Sequence, residues 1–361
     1  MQTGIVGLPF SGKTTIHNSI TGSNIETGIN NTQKSPNLGV AHVPDKRLEH
    51  LTKIYTPKKT IQAELMFSDI PVKRDGEIFY GENISHLQKM DALLVVVRAF
   101  TDESIPHIDG SVDLERDLEK ITFDLIFSDI SLIDRRIINI QDSMKRTKAN
   151  ERAKSLKTIE SLKNIQGEFE KGIPLRNKKL SEQEKLVLSD TFLLSKLPLM
   201  IVVNIDEKDI KHSSEIQKLT QKVIKNKASE SAVICGLIEE ELSKLSFKEQ
   251  SELRKELNFD ISGLDKTIQL TYSSLGLVSF ITVGEDEVRA WTISKATSAE
   301  KAASVIHSDI SKGFIRAEVV SYNDFIKFDS MVQIKNKGLL RKEGKDYKIQ
   351  DGDIVNYLFS V

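Results

Sequence analysis

The chain has 361 residues, of which 39% are hydrophobic and 29% charged, values that suit two or three folded domains and exclude a largely disordered protein. Its formal net charge is −1, so the whole molecule is not expected to capture nucleic acid, no DNA partner is expected, and any RNA contact must come from local basic patches. The single cysteine excludes an internal disulfide, and without a signal peptide or an apolar run of about 20 residues we expect a cytoplasmic protein that contacts no membrane.

The first motif along the chain is GLPFSGKT at residues 7–14, which has the form GxxxxGK[ST]. A strand-like apolar run precedes it and a helical pattern follows it, as a phosphate-binding loop requires. Glycines allow backbone conformations in which successive N–H groups point at phosphates, and the following helix adds its dipole. Lys13 is the candidate catalytic residue that reaches the outer phosphates, and Thr14 would hold Mg²⁺. The sequence predicts nucleotide contacts from Gly7, Leu8, Pro9, Phe10, Ser11, Gly12, Lys13, Thr14 and Thr15.

Two further positions are candidates for the magnesium site. Asp69 ends a β-rich run, where a carboxylate would hold a water of the Mg²⁺ shell, although a strand-terminal acid can also simply face solvent. Thr32 is the best switch hydroxyl in the loop 30–37, a loop whose Asn and Ser content gives a threonine other reasons to be present. Switch GTPases carry a glycine three residues after the aspartate, but here that residue is Val72. The sequence therefore supports nucleotide binding better than hydrolysis.

Nearly continuous apolar runs at 93–97 and 199–203 predict strands that are buried on both faces, as in a parallel sheet. Between them, isoleucines recur at alternating spacings of four and three from Ile126 to Ile140, which predicts a coiled-coil seam. We expect a helical insertion at 125–195, mostly an antiparallel hairpin, inside a nucleotide-binding domain formed by 1–124 and 196–277. The seam can pair within the chain or between chains, and the helix that closely follows favours the hairpin and a monomer.

The predicted tip of this hairpin is basic. It has few acids, and its cations are Lys145, Arg146, Lys148, Arg152, Lys154 and Lys157. Such a run is usually a solvated helix end, and an RNA-facing tip is the alternative.

The sequence Asn204-Ile205-Asp206-Glu207 follows the second of the two apolar runs, where base-recognising residues lie in P-loop proteins. A guanine reader is Asn-Lys-x-Asp, whose aspartate accepts two hydrogen bonds from the base. Glu207 is longer by one methylene and Ile205 replaces the lysine, so guanine would lose a well-placed acceptor. These residues favour ATP over GTP, with GTP as the alternative. Cys235, after a short apolar run, completes the candidate base contacts.

Residues 278–361 contain several short β-like runs and one helical stretch, which predicts a small α+β domain. The predicted fold class is therefore α/β: a P-loop nucleotide-binding domain with a mostly parallel sheet, a helical coiled-coil insertion and a C-terminal α+β domain.

Several motifs together resemble the YchF-like ATPases, a branch of the Obg-related P-loop proteins. They are the loop GLPFSGKTT at 7–15, PNLGV at 36–40, VPDKRL at 43–48, Asn-x-x-Glu at 204–207, and the C-terminal stretches at 284–325 and 343–359, which look like a TGS domain. The resemblance covers essentially the whole chain. It implies ATP hydrolysis, ATP preference through Asn204 and Glu207, Mg²⁺ support from Asp69, and association with ribosomes. We expect basic positions on the helical tip and in the TGS domain (Arg289, Arg316, Arg341 and Lys342) to meet rRNA phosphates.

Two departures from the family pattern fall on elements that would sense the γ-phosphate. Residues 69–73 read DIPVK where the family usually has DIAGL, and the switch region ends in QKSPN at 33–37 instead of TIEPN. Ras-like enzymes orient the attacking water with a Gln at the position of Lys73. His86 is the downstream candidate for that role, although a histidine on a helix surface is the more common outcome. A nucleotide-binding scaffold without useful turnover and a GTP-specific switch stay open as alternatives.

Overall fold

The computed structural model describes residues 1–28, 35–73, 75–146, 148–224, 229–245, 247–256 and 262–360. By compactness the chain divides into two units, the first made of Met1–Gly39 and Met66–Thr267, the second of Val40–Leu65 and Ile268–Val361. The sequence places residues 40–65 in the nucleotide-binding domain, whereas compactness groups them with the C-terminal part. The domain boundaries expected from the sequence therefore stay predictions.

Twelve strands lie within the described residues. They are β1 Gln2–Val6, β2 Asn37–His42, β3 Lys59–Ile61, β4 Glu64–Asp69, β5 Ala92–Arg98, β6 Leu199–Asn204, β7 Ser229–Ile234, β8 Leu277–Thr282, β9 Glu287–Ser294, β10 Phe314–Ser321, β11 Arg341–Glu343 and β12 Asp353–Phe359.

Fourteen α-helices lie in the same ranges. They are α1 Lys13–Thr21, α2 Lys46–Tyr55, α3 Gly81–Leu87, α4 Leu114–Met144, α5 Ala149–Glu170, α6 Glu182–Val187, α7 Ser213–Val223, α8 Gly236–Ser243, α9 Phe247–Glu256, α10 Gly263–Ser274, α11 Ala299–Ile306, α12 Ser308–Lys312, α13 Tyr322–Phe325 and α14 Met331–Asn336. No helix among the described residues is both long and apolar enough to cross a bilayer.

The first sheet has the strand order β2-β4-β1-β5-β6-β7. The pairs β1–β4, β1–β5, β5–β6 and β6–β7 are parallel, with Ile5 opposite Leu94 and Val97 opposite Val203. Every residue of β5 and β6 is buried, as the continuous apolar runs predict. Parallel strands bring their carboxyl ends to one edge, so the residues after β1, β4, β5, β6 and β7 share that edge.

The coiled-coil seam lies on α4, whose Ile126, Ile133 and Ile137 are buried in the core of the first unit. This helix begins before the predicted insertion because the Asp113 side chain caps it, accepting from Arg116 N at 3.1 Å. After the hairpin, a Ser181–Glu184 capping box starts the short helix α6, which ends at Val187. A separate 3₁₀ turn forms at Leu194–Lys196.

The second unit contains a mixed sheet with the order β11-β10-β12-β8-β9-β3. The strands β10–β12 and β8–β9 pair antiparallel, whereas β12–β8 and β3–β9 are parallel. Phe280, Val319 and Val355 from the sheet pack with Ala299, Ala302 and Ala303 of α11. The C-terminal region is therefore α+β, as the sequence predicts.

Candidate nucleotide-binding site

The loop between β1 and α1 has the backbone of a phosphate-binding loop. Gly12 has φ 89° and Phe10 has φ 61°, both in the left-handed region that turns the chain sharply. A Cβ on Gly7 would lie 2.3 Å from the Val96 carbonyl oxygen, and one on Gly12 would lie 2.2 Å from Asn204 Nδ2. Both glycines of the motif are thus required by close contacts with the neighbouring strands β5 and β6.

Lys13 begins α1 and is 8% exposed. Its ammonium donates to the Leu8 carbonyl oxygen at 3.2 Å, within the loop that would surround the phosphates. Burial lowers the pKa of Lys13 to about 8, and the nearby Asp69 opposes that effect. A buried ammonium ion is costly unless an anion compensates it. The buried Ser11 hydroxyl also has no hydrogen-bond partner within the described residues. Phosphate oxygens would satisfy both groups, so the loop fits a nucleotide.

The magnesium side of the site pairs a hydroxyl with a carboxylate. Thr14 Oγ1 donates to Asp69 Oδ2 at 2.8 Å, and Asp69 is fully buried at the end of β4. Burial raises the pKa of Asp69, while Lys13 and the Thr14 bond lower it. Hydroxyl and carboxylate oxygens are the ligands that Mg²⁺ prefers, so these residues fit the ion. Thr32 lies outside the described residues, and its proposed role at the metal stays a prediction.

Asn204 connects the phosphate-binding loop to the start of α8 through hydrogen bonds. At the end of β6 its amide donates to the Ser11 carbonyl at 3.1 Å and accepts from Gly236 N at 2.9 Å. The side chain is 5% exposed, so both bonds are sheltered from water. The sequence singles out Asn204 as a base contact, but it gives no sign that the residue joins the phosphate-binding loop to the start of α8.

The other predicted base residues have different surroundings. Ile205 and Cys235 are buried at the carboxyl edge of the sheet, and Ile205 N donates to the Ile234 carbonyl at 2.8 Å. Burial raises the pKa of the Cys235 thiol. Glu207 is exposed at the start of a 3₁₀ turn, Glu207–His212. The structure thus brings Asn204, Ile205 and Cys235 together and places Glu207 on the adjoining surface.

Sequence reasoning missed a cluster after β5. Arg98 is 3% exposed, and its guanidinium donates to the carbonyls of Phe100, Asp102 and Ile105 and lies 4.5 Å from the centroid of the Phe100 ring. A Cβ on Gly12 would lie 3.9 Å from that ring, so Phe100 adjoins the phosphate-binding loop. An arginine that ends an otherwise apolar strand was the available signal.

The loops after β5 and β6 are also joined directly. Asp206 Oδ2 accepts from both the backbone N and the hydroxyl of Thr101 at 3.0 Å. Asp206, not Glu207, makes this contact, and it fixes the backbone from which Glu207 projects.

His86 lies half-buried in the last turn of α3. Over the ranges that the structure describes, its side chain makes no hydrogen bond to the loop at 7–15. The proposal that His86 orients the attacking water therefore has no contact to support it.

Comparison with known proteins adds the following. The family model YchF-GTPase_C, described as "Protein of unknown function (DUF933)", matches residues 277–360. The chain is 36% identical to the "Ribosome-binding ATPase YchF" of Bacillus subtilis, with 100% of each chain covered. It is 32% identical to the protein of the same name from Escherichia coli O157:H7, with 100% of this chain and 99% of that one covered. The solved structure of the Schizosaccharomyces pombe YchF GTPase matches with a TM-score of 0.85 and 29% identity, over 99% of this chain and 97% of that chain.

Proposed function

The chain belongs to the YchF family, and from this we propose that it binds ATP with Mg²⁺, hydrolyses the γ-phosphate slowly and associates with the ribosome. The observation that carries the proposal is the buried Lys13 ammonium, which lies at a loop with two positive-φ residues, Phe10 and Gly12. Among the residues that the structure describes, it donates to one acceptor, the Leu8 carbonyl at 3.2 Å. Its proximity to Asp69 and Thr14 supports a site for a phosphate–magnesium pair.

Each site residue has a proposed role. Residues 7–15 bind the phosphates, and Thr14 and Asp69 hold Mg²⁺. Thr32 is proposed as a further hydroxyl at the ion. The ion supplies charge neutralisation for the phosphoryl group. Lys13 contributes its own charge to the outer phosphates, and Asn204 keeps the loop in place through Ser11. The base lies near Ile205, Glu207 and Cys235.

The test of this proposal is a calorimetric titration with ATP, ADP and GTP, with Mg²⁺ and with EDTA, followed by a phosphate-release assay. We expect ATP binding that Lys13→Ala weakens by at least about tenfold, or about 1.4 kcal/mol, together with loss of turnover. Lys185→Ala is the matched control, because Lys185 is an exposed lysine paired with Glu182 on α6. ATP binding without phosphate release would favour a scaffold, the alternative that Val72 motivates.

Base preference is a separate part of the proposal. Asn204-x-x-Glu207 favours adenine, because glutamate does not place an acceptor where guanine's two donors need it. Competition between ATP and GTP for the protein tests this directly. GTP binding that is about tenfold tighter than ATP binding, or about 1.4 kcal/mol, would overturn the assignment.

Ribosome association is proposed to use local positive charge. The cations Lys145, Arg146, Lys148, Arg152, Lys154 and Lys157 are all exposed at the end of the hairpin formed by α4 and α5. In the C-terminal region Arg316 and Lys342 are exposed, whereas Arg341 lies against Glu343 and Tyr347, and Arg289 stacks on Trp291. We expect the hairpin tip, Arg316 and Lys342 to supply the main contacts to rRNA phosphates.

A further inference from the structure

Hydrogen bonds join the described residues on either side of the turn after β4. Lys73 N donates to the Glu77 carbonyl at 3.2 Å, and Gly76 N donates to the Lys73 carbonyl at 2.9 Å. The buried Asn83 of α3 donates to the carbonyls of Pro71 at 2.6 Å and Ile78 at 2.8 Å. One amide thus joins the residues on either side of the turn.

Gly76 of this turn lies beside the phosphate-binding loop. A Cβ on Gly76 would lie 3.9 Å from Leu8 Cδ2 and 3.9 Å from Pro9 Cδ. Leu8 is the residue whose carbonyl accepts from the Lys13 ammonium. Gly76, in the turn that carries Lys73, therefore lies next to the side chains of Leu8 and Pro9 in the phosphate-binding loop.

The Lys73 ammonium is held on the turn itself. It forms an ion pair with the Glu77 carboxylate and lies 4.3 Å from the centroid of the Tyr80 ring. The Lys73 side chain is 44% exposed. Exposed ion pairs contribute little to stability, so a more highly charged anion nearby can take the lysine from Glu77.

The position of Lys73 in the sequence also suggests a role in hydrolysis. It is the fourth residue after Asp69, where Ras-like enzymes carry the glutamine that orients the attacking water. A lysine has no acceptor and cannot orient water as glutamine does. It can neutralise charge on the transferred phosphoryl group, a role that P-loop enzymes commonly give to an arginine supplied in cis or in trans.

We propose that Lys73 is a γ-phosphate ligand supplied by this chain itself, and that Glu77 and Tyr80 hold it away until ATP is bound. The inference rests on the proposed ATPase function. In the reaction, water oxygen bonds to the γ-phosphorus while the bond to the β,γ-bridging oxygen breaks, ADP leaves with that electron pair, and the water proton passes to phosphate or solvent. Lys73 remains protonated throughout and stabilises negative charge on the phosphoryl oxygens.

The test compares Lys73→Ala, Glu77→Gln and the double variant with wild type, using β,γ-imido-ATP binding, ADP binding and single-turnover ATP hydrolysis. We expect Lys73→Ala to weaken the ATP analogue by about fivefold or more with ADP binding unchanged, and to slow hydrolysis at least about tenfold, well below the loss of a full arginine finger. Glu77→Gln is expected to strengthen analogue binding and speed hydrolysis by about twofold to fivefold, since it releases an exposed pair. The double variant should behave like Lys73→Ala, and Lys185→Ala like wild type.

The opposing results are distinct. Equal effects of Lys73→Ala on the ATP analogue and ADP, or acceleration by Glu77→Gln that persists without Lys73, would overturn the role of Lys73. If wild type binds and hydrolyses ATP while all variants match it, the Lys73 inference fails and the proposed function stands. A wild-type protein that binds no ATP refutes both. Circular dichroism melting of each variant separates these outcomes from loss of folding.

Discussion

In the phosphate-binding loop, single positions do not tolerate a larger side chain. Gly12 combines a φ of 89° with an added-Cβ distance of 2.2 Å to Asn204 Nδ2. A side chain there would both strain the backbone and displace the amide that braces the loop. Gly12 and Asn204 therefore depend on each other. Asn204 also binds the carbonyl of Ser11, the neighbour of Gly12, across a sequence separation of 193 residues.

We predict that Asn204→Ala destabilises the protein by roughly 2–3 kcal/mol, because it leaves a buried backbone N–H at Gly236 and a buried carbonyl at Ser11 without partners. ATP affinity should fall as well, since the loop at 7–14 loses its brace. Urea unfolding and an ATP titration measure the two effects. Asn204→Asp, which keeps an acceptor for Gly236 N but has no donor for Ser11 O, should be intermediate in stability. Wild-type ATP affinity in both variants would contradict the bracing role.

Among the elements of the fold, local patterns are predictable and long-range contacts are not. The strand–loop–helix at 2–21, the buried strands β5 and β6, and the isoleucine seam of α4 follow from short-range periodicity. By contrast, Asp129 of α4 accepts from Leu194 N and Ser195 N at 2.8 Å each, and no local pattern links residues so distant in sequence. The contact between Thr101 and Asp206 could not be predicted from the sequence for the same reason. Sequence motifs thus nominate candidate site residues, but they do not reveal the long-range contacts that hold those residues in place.

The contact between Asp129 and the turn Leu194–Lys196 should depend on pH. Burial raises the pKa of Asp129 to about 6, while hydrogen bonds from Ser195 and Leu194 and the nearby charge of Arg176 oppose that rise. The folded protein then binds this proton more tightly than the unfolded chain, so the free energy of unfolding falls as pH rises from about 4 to about 6. Asparagine cannot titrate. The stability of Asp129→Asn relative to wild type should therefore rise by roughly 2 kcal/mol between pH 4 and pH 7.

Urea unfolding at several pH values measures this difference. Asp134→Asn is the matched control, because Asp134 is an exposed acid on the same helix that accepts from Gln166 Nε2 at 2.9 Å. A relative stability of Asp129→Asn that does not change with pH would show that the carboxyl titrates normally in the folded protein.

For the whole molecule, the distribution of charge matters more than its sum. With a formal net charge of −1, there is no general attraction to RNA, so the proposed binding to a ribosome must depend on where the cations lie. At the hairpin tip, Lys145 is paired with Asp142 at 2.8 Å and Arg152 Nε donates to the Met144 carbonyl at 3.1 Å. Exposed pairs of this kind are weak, so the tip retains most of its positive field for phosphates.

We predict that reversing charge at the tip with Arg146→Glu and Arg152→Glu reduces co-sedimentation with ribosomes. The plot of log K for ribosome binding against log[salt] should also become less steep by roughly two, because each lost phosphate contact removes about one released counterion. The control is Arg135→Glu on the exposed face of α4, away from the tip, where Arg135 Nε donates to the Ser131 carbonyl at 3.1 Å. It makes one of the same charge changes without removing a tip contact, so its salt slope should match wild type. Sedimentation insensitive to salt, or a control that loses as much binding per charge as the tip variant, would place the RNA contact elsewhere, with Arg316 and Lys342 as the next residues to reverse.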